Sequence, residues 1–139
     1  MKSNSLIPEL YVSDFEKSLH FYTNILGFEI NYQRENPHFA FLSYGEAQLM
    51  IQIDDDNPVW HIGKLEKPYG RGINFEIRTV ELDSLITRLS KENYPLHRGV
   101  EESWRKTGEV MVNQKEIIVL DPDGYFLRFS QYLGSKPVQ

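Results

Sequence analysis

The chain contains no cysteine, no long apolar run and no excess of positive charge. Without cysteine there can be no disulfide, thiolate metal ligand or cysteine nucleophile. No apolar run approaches the ~20 residues needed to span a bilayer, so the sequence predicts no membrane partner. A net charge of -5 disfavours a nucleic-acid partner, because phosphate backbones are bound by an excess of Lys and Arg. An acidic protein attracts cationic ligands instead, unless its charge serves solubility alone.

What the chain does have is enough apolar surface for one domain. Its 139 residues are 40% hydrophobic and 13% aromatic, and a chain of this size buries roughly two thirds of its unfolded surface. The first residues, MKSNSLIPEL, carry no long apolar segment after the lysine. The sequence therefore predicts no secretory signal and a cytoplasmic location.

The first part of the chain reads as a strand, a helix and three further strands. Alternation in LIPELYV predicts a strand over residues 6–12, and Pro8 places that strand at a sheet edge or places the proline at the strand's start. SDFE is typical of a capping box in which Ser13 accepts from the amide of Glu16, and an apolar stripe continues the helix to a stop at Gly27. Strands are then predicted over 28–33, 38–44 and 47–53.

A polar stretch with Pro and Gly, DDDNPVWHIGKLEKPYG, interrupts this pattern and indicates a linker or a long functional loop. The pattern then restarts with a strand in GINFEIR and a helix over 80–93 that stops at Asn93. Further strands are predicted over 94–100, 115–120 and 125–131, while 101–114 has no clear pattern. The two halves repeat the order of elements with little residue identity.

Three motifs at this spacing resemble a known family. YVSDFEKSLHFYTNILGF, YGRGINFEI and the closing DPDGYFLRF are together similar to the vicinal oxygen chelate superfamily, the group of glyoxalases, bleomycin-resistance proteins and ring-cleaving dioxygenases. The resemblance implies an α+β fold in which two βαβββ modules form curled mixed sheets around a cavity, with helices outside. It also implies a homodimer. It does not imply one reaction, because the fold hosts both enzymes and proteins that only bind drugs.

This likeness sets the expected domain organisation. We expect a single glyoxalase/bleomycin-resistance-like domain over residues 1–139. Module 1 covers about 5–54, the linker about 55–70 and module 2 about 71–133, and residues 134–139 form a C-terminal tail.

The resemblance also assigns metal ligands to four positions. In metal-dependent members, His and carboxylate side chains at these positions hold a divalent ion. The matching residues here are Ile7, Met50 or Gln52, Gly72 and Arg128. A thioether and an amide are poor ligands for a hard ion, and a permanent cation repels one. Since the four histidines also lack the spacing of a ligand pair, the sequence predicts no metal and no other cofactor.

Strand alternation predicts which residues line the ligand site. Strand residues on the opposite face should pack against the helices: Leu10, Val12, Leu49, Ile51, Ile73, Phe75, Ile77, Leu127 and Phe129. The predicted ligand-binding residues are Glu9, Tyr11, Met50, Gln52, Trp60, Arg71, Asn74, Glu76, Trp104, Phe126 and Arg128.

Several of these residues have two interpretations. The charged members Glu9, Glu76 and Arg128 pair with one another, or a carboxylate and the arginine orient a polar ligand. Both tryptophans are placed in irregular segments, where they pack as a lid or stack on planar or cationic ligands. Arg71 serves the ligand, or its flanking glycines allow a close chain crossing.

No nucleophile stands beside a base, and no phosphate-binding motif occurs, so no catalytic residue is predicted. Metal-free acid–base catalysis by Glu9 or Glu76 stays open, because carboxylates in cavities often have shifted pKa values. The favoured hypothesis is a metal-free homodimer that sequesters an antibiotic of the bleomycin type. The alternative is an enzyme of the same superfamily, a lyase, isomerase or dioxygenase, that acts on a small metabolite. A third hypothesis is a protein that only binds such a metabolite.

Overall fold

The structure, a computed structural model, describes residues 1–139 and falls into two compact units. The first contains Met1–Arg71 and Asp121–Tyr125, and the second contains Gly72–Leu120 and Phe126–Gln139. Each unit holds one four-stranded mixed sheet and one α-helix in the order βαβββ. The predicted α+β class with two such modules is confirmed. The single-domain organisation and the cavity stay predictions.

The sheet of the first unit has its strands in the order β1-β4-β3-β2. They are β1 (Glu9–Val12), β2 (Glu29–Glu35), β3 (His38–Tyr44) and β4 (Ala47–Ile53). β1 is parallel to β4 and the other pairs are antiparallel. β1 starts directly after Pro8 and forms an edge, as expected of a residue that has no N–H to donate to a neighbouring strand. The carbonyl of Pro8 still accepts from the amide of Met50.

Helix α1 (Phe15–His20) follows β1 and continues as a π-helical turn over Phe21–Ile25. The predicted capping box is wrong, because the cap is Asp14, whose carboxylate accepts from the amide of Lys17. The Ser13 hydroxyl instead donates to the buried carboxylate of Asp123, a partner far away in sequence. The stop at Gly27 is confirmed by its φ of 93°.

The first unit has one apolar core between the helix and the inner face of the sheet. Its fully buried large side chains are Val12, Phe21, Tyr22, Leu26, Leu42 and Ile51. The predicted helix-facing residues of β1 and β4 are all buried.

The second sheet has the order β5-β8-β7-β6, again with one parallel pair, between β5 and β8. Its elements are β5 (Asn74–Arg78), α2 (Leu82–Lys91), β6 (Arg98–Thr107), β7 (Val110–Leu120) and β8 (Phe126–Pro137). α2 buries Leu82, Leu85 and Leu89, and the predicted stop at Asn93 is confirmed by its φ of 52°. With ten residues α2 is the longest helix, and no helix is long and apolar enough to cross a membrane.

Three expectations for the second unit differ from the structure. Residues 101–114 lie mostly in β6 and β7, which form a long antiparallel pair. β8 runs to Pro137, into the segment expected to be a tail, because its pairing with β7 continues as far as Val110. Ile73 is 53% exposed instead of facing α2, since β5 begins only at Asn74. Residues 101–107 are almost all polar and exposed, so they show no apolar alternation that could reveal a strand.

Candidate functional site

The outer face of the first sheet, opposite α1, carries two rows of side chains across its four strands. One row joins Glu9, Met50, Phe41 and Tyr32, and the other joins Tyr11, Gln52, Phe39 and Arg34. Directly opposed residues of neighbouring strands lie on the same face of a sheet. The structure therefore brings together the four ligand-binding residues predicted in this unit, Glu9, Tyr11, Met50 and Gln52.

The part of this face formed by β2 and β3 carries an aromatic platform of Tyr32, Phe39 and Phe41 that sequence reasoning missed. Phe39 and Phe41 are each only 2% exposed, and the ring of Tyr32 is stacked on Phe41 at a centroid distance of 5.3 Å. The guanidinium of Arg34 lies 4.5 Å from the centre of the Phe39 ring and 5.4 Å from that of Tyr32. Such stacking holds planar groups in fixed positions. Because Phe39 and Phe41 are buried, the ring of Tyr32, which is 37% exposed, is the part of the platform that a flat, apolar group of a ligand could contact.

The part of this face formed by β1 and β4 is polar, and His61 from the long loop packs beside it. The ring of His61 lies 5.1 Å from that of Tyr11, and His61 Nε2 is 3.1 Å from Asp54 Oδ1. That contact is short but is not aligned as a hydrogen bond, and the buried hydroxyl of Tyr11 also has no hydrogen-bond partner. Buried polar atoms without a partner cost free energy. Both atoms could therefore gain from a polar ligand.

Negative charge dominates this part of the face. Burial raises the pKa of the Tyr11 hydroxyl, and the carboxylates of Asp55, Glu9 and Asp54 raise it further. Burial also raises the pKa of Glu9, although part of that side chain is exposed, and the guanidinium of Arg34 offsets some of this effect. The local potential favours a cationic group over an anionic one.

In the second unit, Arg128 lies on β8 within a dense polar network. Its Nη1 donates to Glu116 Oε2 at 3.1 Å and its Nε donates to Asn74 Oδ1 at 2.9 Å. Glu76 Oε1 is farther from Nη2, at 3.8 Å, while Glu76 Oε2 accepts from Ser130. The predicted contact with Glu76 is present, but Glu116 is the nearer carboxylate. The predicted pairing with Glu9, a residue of the other unit, stays a prediction.

Glu116 is the centre of this network. Its side chain is only 3% exposed, and its Oε1 accepts from Arg98 at 2.9 Å and from Arg105 at 3.2 Å. Its other oxygen, Oε2, accepts from Arg128 Nη1 at 3.1 Å. Arg98 also reaches Glu101 at 3.1 Å. Three guanidinium groups thus face the carboxylates of Glu76, Glu101 and Glu116, so the cluster is charge-balanced without a bound ion.

Sequence reasoning missed Glu116, Arg98 and Arg105 for different reasons. Glu116 falls in the predicted strand 115–120, and extending the alternation back from Ile118 would have placed it on the face of Arg128. Arg105 could not have been found in this way, because residues 101–107 were not predicted as a strand. Arg98 lies in the predicted strand 94–100, but no local pattern pairs that strand with β7.

The remaining predicted residues are distributed over the long loop and the second sheet. Trp60 is 66% exposed in a 3-10 turn (Pro58–Trp60), and Arg71 donates to backbone carbonyls of its own loop. Trp104 lies in β6 and not in an irregular segment, and its register places it on the sheet face opposite Glu116. Phe126 is half-buried and its ring contacts His97 edge-on. Asn74 and Phe126 are opposed in neighbouring strands on the face of Arg128.

The residues at the four family metal positions do not fit a divalent ion. Ile7 has no donor atom, and Met50 is flanked in its row by Phe41. Gly72 adopts a φ of 93°, a conformation that a histidine would rarely adopt. Arg128 is fixed by a carboxylate at the fourth position. No three His, Asp or Glu side chains are grouped so that they could hold a metal.

The DPDG turn belongs to the first unit and contacts the start of helix α1. Asp123 accepts from the amide and the hydroxyl of Ser13, and Asp121 accepts from the Tyr22 hydroxyl at 2.8 Å. A Cβ on Gly124 would lie 2.5 Å from the Cβ of Pro68, so the turn has no room for another residue there. Two of the sequence motifs are therefore in direct contact.

Comparison with known proteins agrees with this fold. Residues 6–129 match the family described as the Glyoxalase/Bleomycin resistance protein/Dioxygenase superfamily. The chain belongs to this superfamily. Glyoxalase domain-containing protein 4 of Rattus norvegicus and its counterpart in Mus musculus are each 30% identical over 121 residues, or 86% of this chain. The chain spans only 38% of the length of these relatives.

Solved structures show the same architecture. TioX from Micromonospora sp. ML1 gives a TM-score of 0.70 at 13% identity, over 94% of this chain and 100% of that chain. The fosfomycin resistance protein FosX from Listeria monocytogenes gives 0.57 at 21% identity, over 93% of this chain and 91% of that chain. Similarity at these identities concerns the fold and not the ligand.

Proposed function

We propose that the protein binds a small organic molecule without a metal ion and sequesters an antibiotic of the bleomycin type as a homodimer. The observation that carries this proposal is Arg128, a cation held by Glu116 at 3.1 Å in the place of the family's last metal ligand. A divalent ion there would meet a guanidinium in place of a carboxylate.

The first unit supports a bulky ligand that is in part planar and in part cationic. The ring of Tyr32, which is 37% exposed and stacked on the buried Phe41, offers a flat apolar surface, and Glu9 and Asp54 supply negative charge on the same side of the chain's first sheet. The overall charge of -5 has the same sign. Sites that combine apolar walls with a few polar groups are typical of small-molecule binding.

Titration with metal-free bleomycin in EDTA tests the proposal, with tryptophan fluorescence and thermal shift as readouts. Trp60, which is 66% exposed and directly precedes His61 in the loop, can report a nearby ligand. We expect a saturable signal and a rise in melting temperature, since a ligand of the folded state stabilises it. Glu9→Gln should weaken binding several-fold, whereas the control Glu46→Gln, in the turn between β3 and β4, should not. Absence of both signals would overturn the proposal.

A second candidate is a metal-free enzyme of the superfamily that acts on a small metabolite. His61 favours it, because an imidazole 3.1 Å from a carboxylate and beside a tyrosine resembles an acid–base group held in place. A proton abstracted next to a carbonyl would exchange with solvent.

Deuterium incorporation distinguishes this candidate from binding alone. A small neutral ketone, which the negative potential of this site does not repel, should gain deuterium next to its carbonyl in D2O and EDTA faster with the protein than without it, as detected by proton NMR. His61→Asn should abolish the excess, while His20→Asn should leave it unchanged. Equal incorporation with wild type and His61→Asn would remove His61 from the mechanism.

A further inference from the structure

Strand β6 is an exposed sheet edge of unusual length. It has ten residues, whereas the commonest strand length is about five or six, and it pairs only with β7. Eight of its residues are exposed, and none is proline. Proteins normally protect such an edge, because its free N–H and C=O groups can pair with another strand.

The charges of β6 change sign at Trp104 in a way that suits pairing of the strand with a second copy of itself. The sequence EESWRK places Glu101 and Glu102 before Trp104, and Arg105 and Lys106 after it. Charges of one sign would repel a second copy. In an antiparallel pair, the acidic half of each strand instead lies opposite the basic half of the other.

Two-fold symmetry restricts the register. The two copies of β6 would be related by a two-fold axis perpendicular to the sheet. Because directly opposed residues lie on the same face of a sheet, this axis must pass at a residue that is opposed to its own copy, and not between two residues. If the two-fold axis passes at Trp104, Glu102 of each strand lies opposite Lys106 of the other, which gives two pairs of opposite charge. Both side chains are exposed, and neither takes part in an ion pair within its own chain, whereas Glu101 and Arg105 are already paired with Arg98 and Glu116.

Other registers are less favourable. An axis at Ser103 opposes Glu101 to Arg105 but leaves Glu102 and Lys106 without partners. An axis at Arg105 opposes the two arginines, and one at Glu102 opposes the two glutamates, which is destabilising.

Trp104 then lies at the centre of the pair. It is 43% exposed, and Lys136 of β8 lies 4.2 Å from its ring centre, which holds the ring in place. We infer that β6 is the docking surface for a second copy of this chain, paired antiparallel about Trp104. The inference rests on the homodimer of the proposed function and not on the ligand.

Single cysteines test the register, because the chain contains no other cysteine. Directly opposed Cα atoms lie about 5 Å apart, within disulfide range. Trp104→Cys should therefore form a disulfide-linked dimer under mild oxidation. Ser103→Cys should not, since its Cα atoms would be roughly 8 Å apart. Crosslinking of Ser103→Cys, or of neither variant, would overturn the register.

Charge reversal tests the surface without removing the tryptophan. In sedimentation equilibrium, Glu102→Lys and Lys106→Glu should each raise the dimer dissociation constant about tenfold or more. The double variant should return it close to the wild-type value, and the control Glu92→Lys, beside α2, should not change it. A monomeric wild type, or a dimer indifferent to both reversals, would overturn the inference. Bleomycin titration of the same variants reports ligand binding separately from dimerisation.

Discussion

Arg128 Nη1 and Glu116 Oε2 lie 3.1 Å apart across neighbouring strands of the second sheet. Glu116 also accepts from Arg98 and Arg105, so one carboxylate that is almost entirely buried contacts three guanidinium groups. Arg128 has further partners in Asn74 and Glu76. Glu116 therefore joins three arginines, whereas Arg128 is one of three cations, so the network depends more on Glu116 than on any single arginine.

Glu116→Gln should destabilise the protein more than Arg128→Gln does. Glu116→Gln removes the charge that accepts from three guanidinium groups, and because these groups are 22–53% exposed the cost should be about 2–3 kcal/mol. Here three guanidinium groups would lose their shared carboxylate. Arg128→Gln should cost less, about 1–2 kcal/mol, because Arg98 and Arg105 still neutralise Glu116. Urea unfolding followed by circular dichroism gives both values.

The control for this pair is Glu109→Gln, in the exposed turn between β6 and β7. It should change the free energy of unfolding by less than about 0.5 kcal/mol. If Arg128→Gln proved as costly as Glu116→Gln, the central position of Glu116 would be wrong.

Arg128→Glu should not create a metal site. Ile7 would still offer no donor, and Gly72, with its φ of 93°, could not be replaced by a histidine without strain. The new carboxylate would instead lie near Glu116 and repel it. Calorimetric titration with Ni²⁺ and Zn²⁺ should show no stoichiometric binding to this variant or to the wild type. Tight one-to-one binding to Arg128→Glu alone would show that the other positions supply ligands after all.

The fold was predictable wherever a strand carries an apolar face. β4 has the predicted bounds because its alternation buries Leu49 and Ile51, and β3 has them because its apolar run over residues 39–42 is buried on both faces. β6 failed because its polar residues are exposed on both faces, so nothing distinguishes them from a loop. The helix start failed because Ser13 was assigned a local partner, whereas Asp123 is 110 residues away in sequence.

The candidate site was predictable along the strands but not across them. Alternation placed Glu9, Tyr11 and Gln52 together, and the register confirms that they share one face. The aromatic platform, Glu116 and the loop residue His61 depend on pairings that no local pattern contains. A resemblance that assigns only four positions could not supply them.

Ser13→Ala tests the contact between the two motifs. The Asp123 carboxylate would keep the Ser13 amide but lose the hydroxyl, and a buried acceptor that loses a donor costs about 1–3 kcal/mol. Asp14→Ala should cost about 1 kcal/mol, the usual effect of removing a helix cap. The double variant Ser13→Ala with Asp123→Asn should be less destabilised than the sum of its single variants, since the two residues share one interaction. Simple additivity would argue against that contact.

Asp121 should make stability depend on pH. Burial raises the pKa of its carboxyl from the usual 3.8 to about 6, although the Tyr22 hydroxyl and two backbone amides lower it in part. The folded state therefore binds this proton more tightly than the unfolded chain. The resulting stabilisation is fully present below pH 3.8 and is lost as the pH rises through 6.

Comparison with Asp121→Asn isolates this effect, because the amide does not titrate. Between pH 7.5 and pH 5 the free energy of unfolding of the wild type should rise relative to that of the variant by about 1.4 kcal/mol. Other groups titrate alike in both proteins and cancel in the difference. A constant difference over this range would mean that the Asp121 carboxyl has an ordinary pKa in the folded protein. A difference that changes in the opposite direction would mean that its hydrogen bonds outweigh its burial.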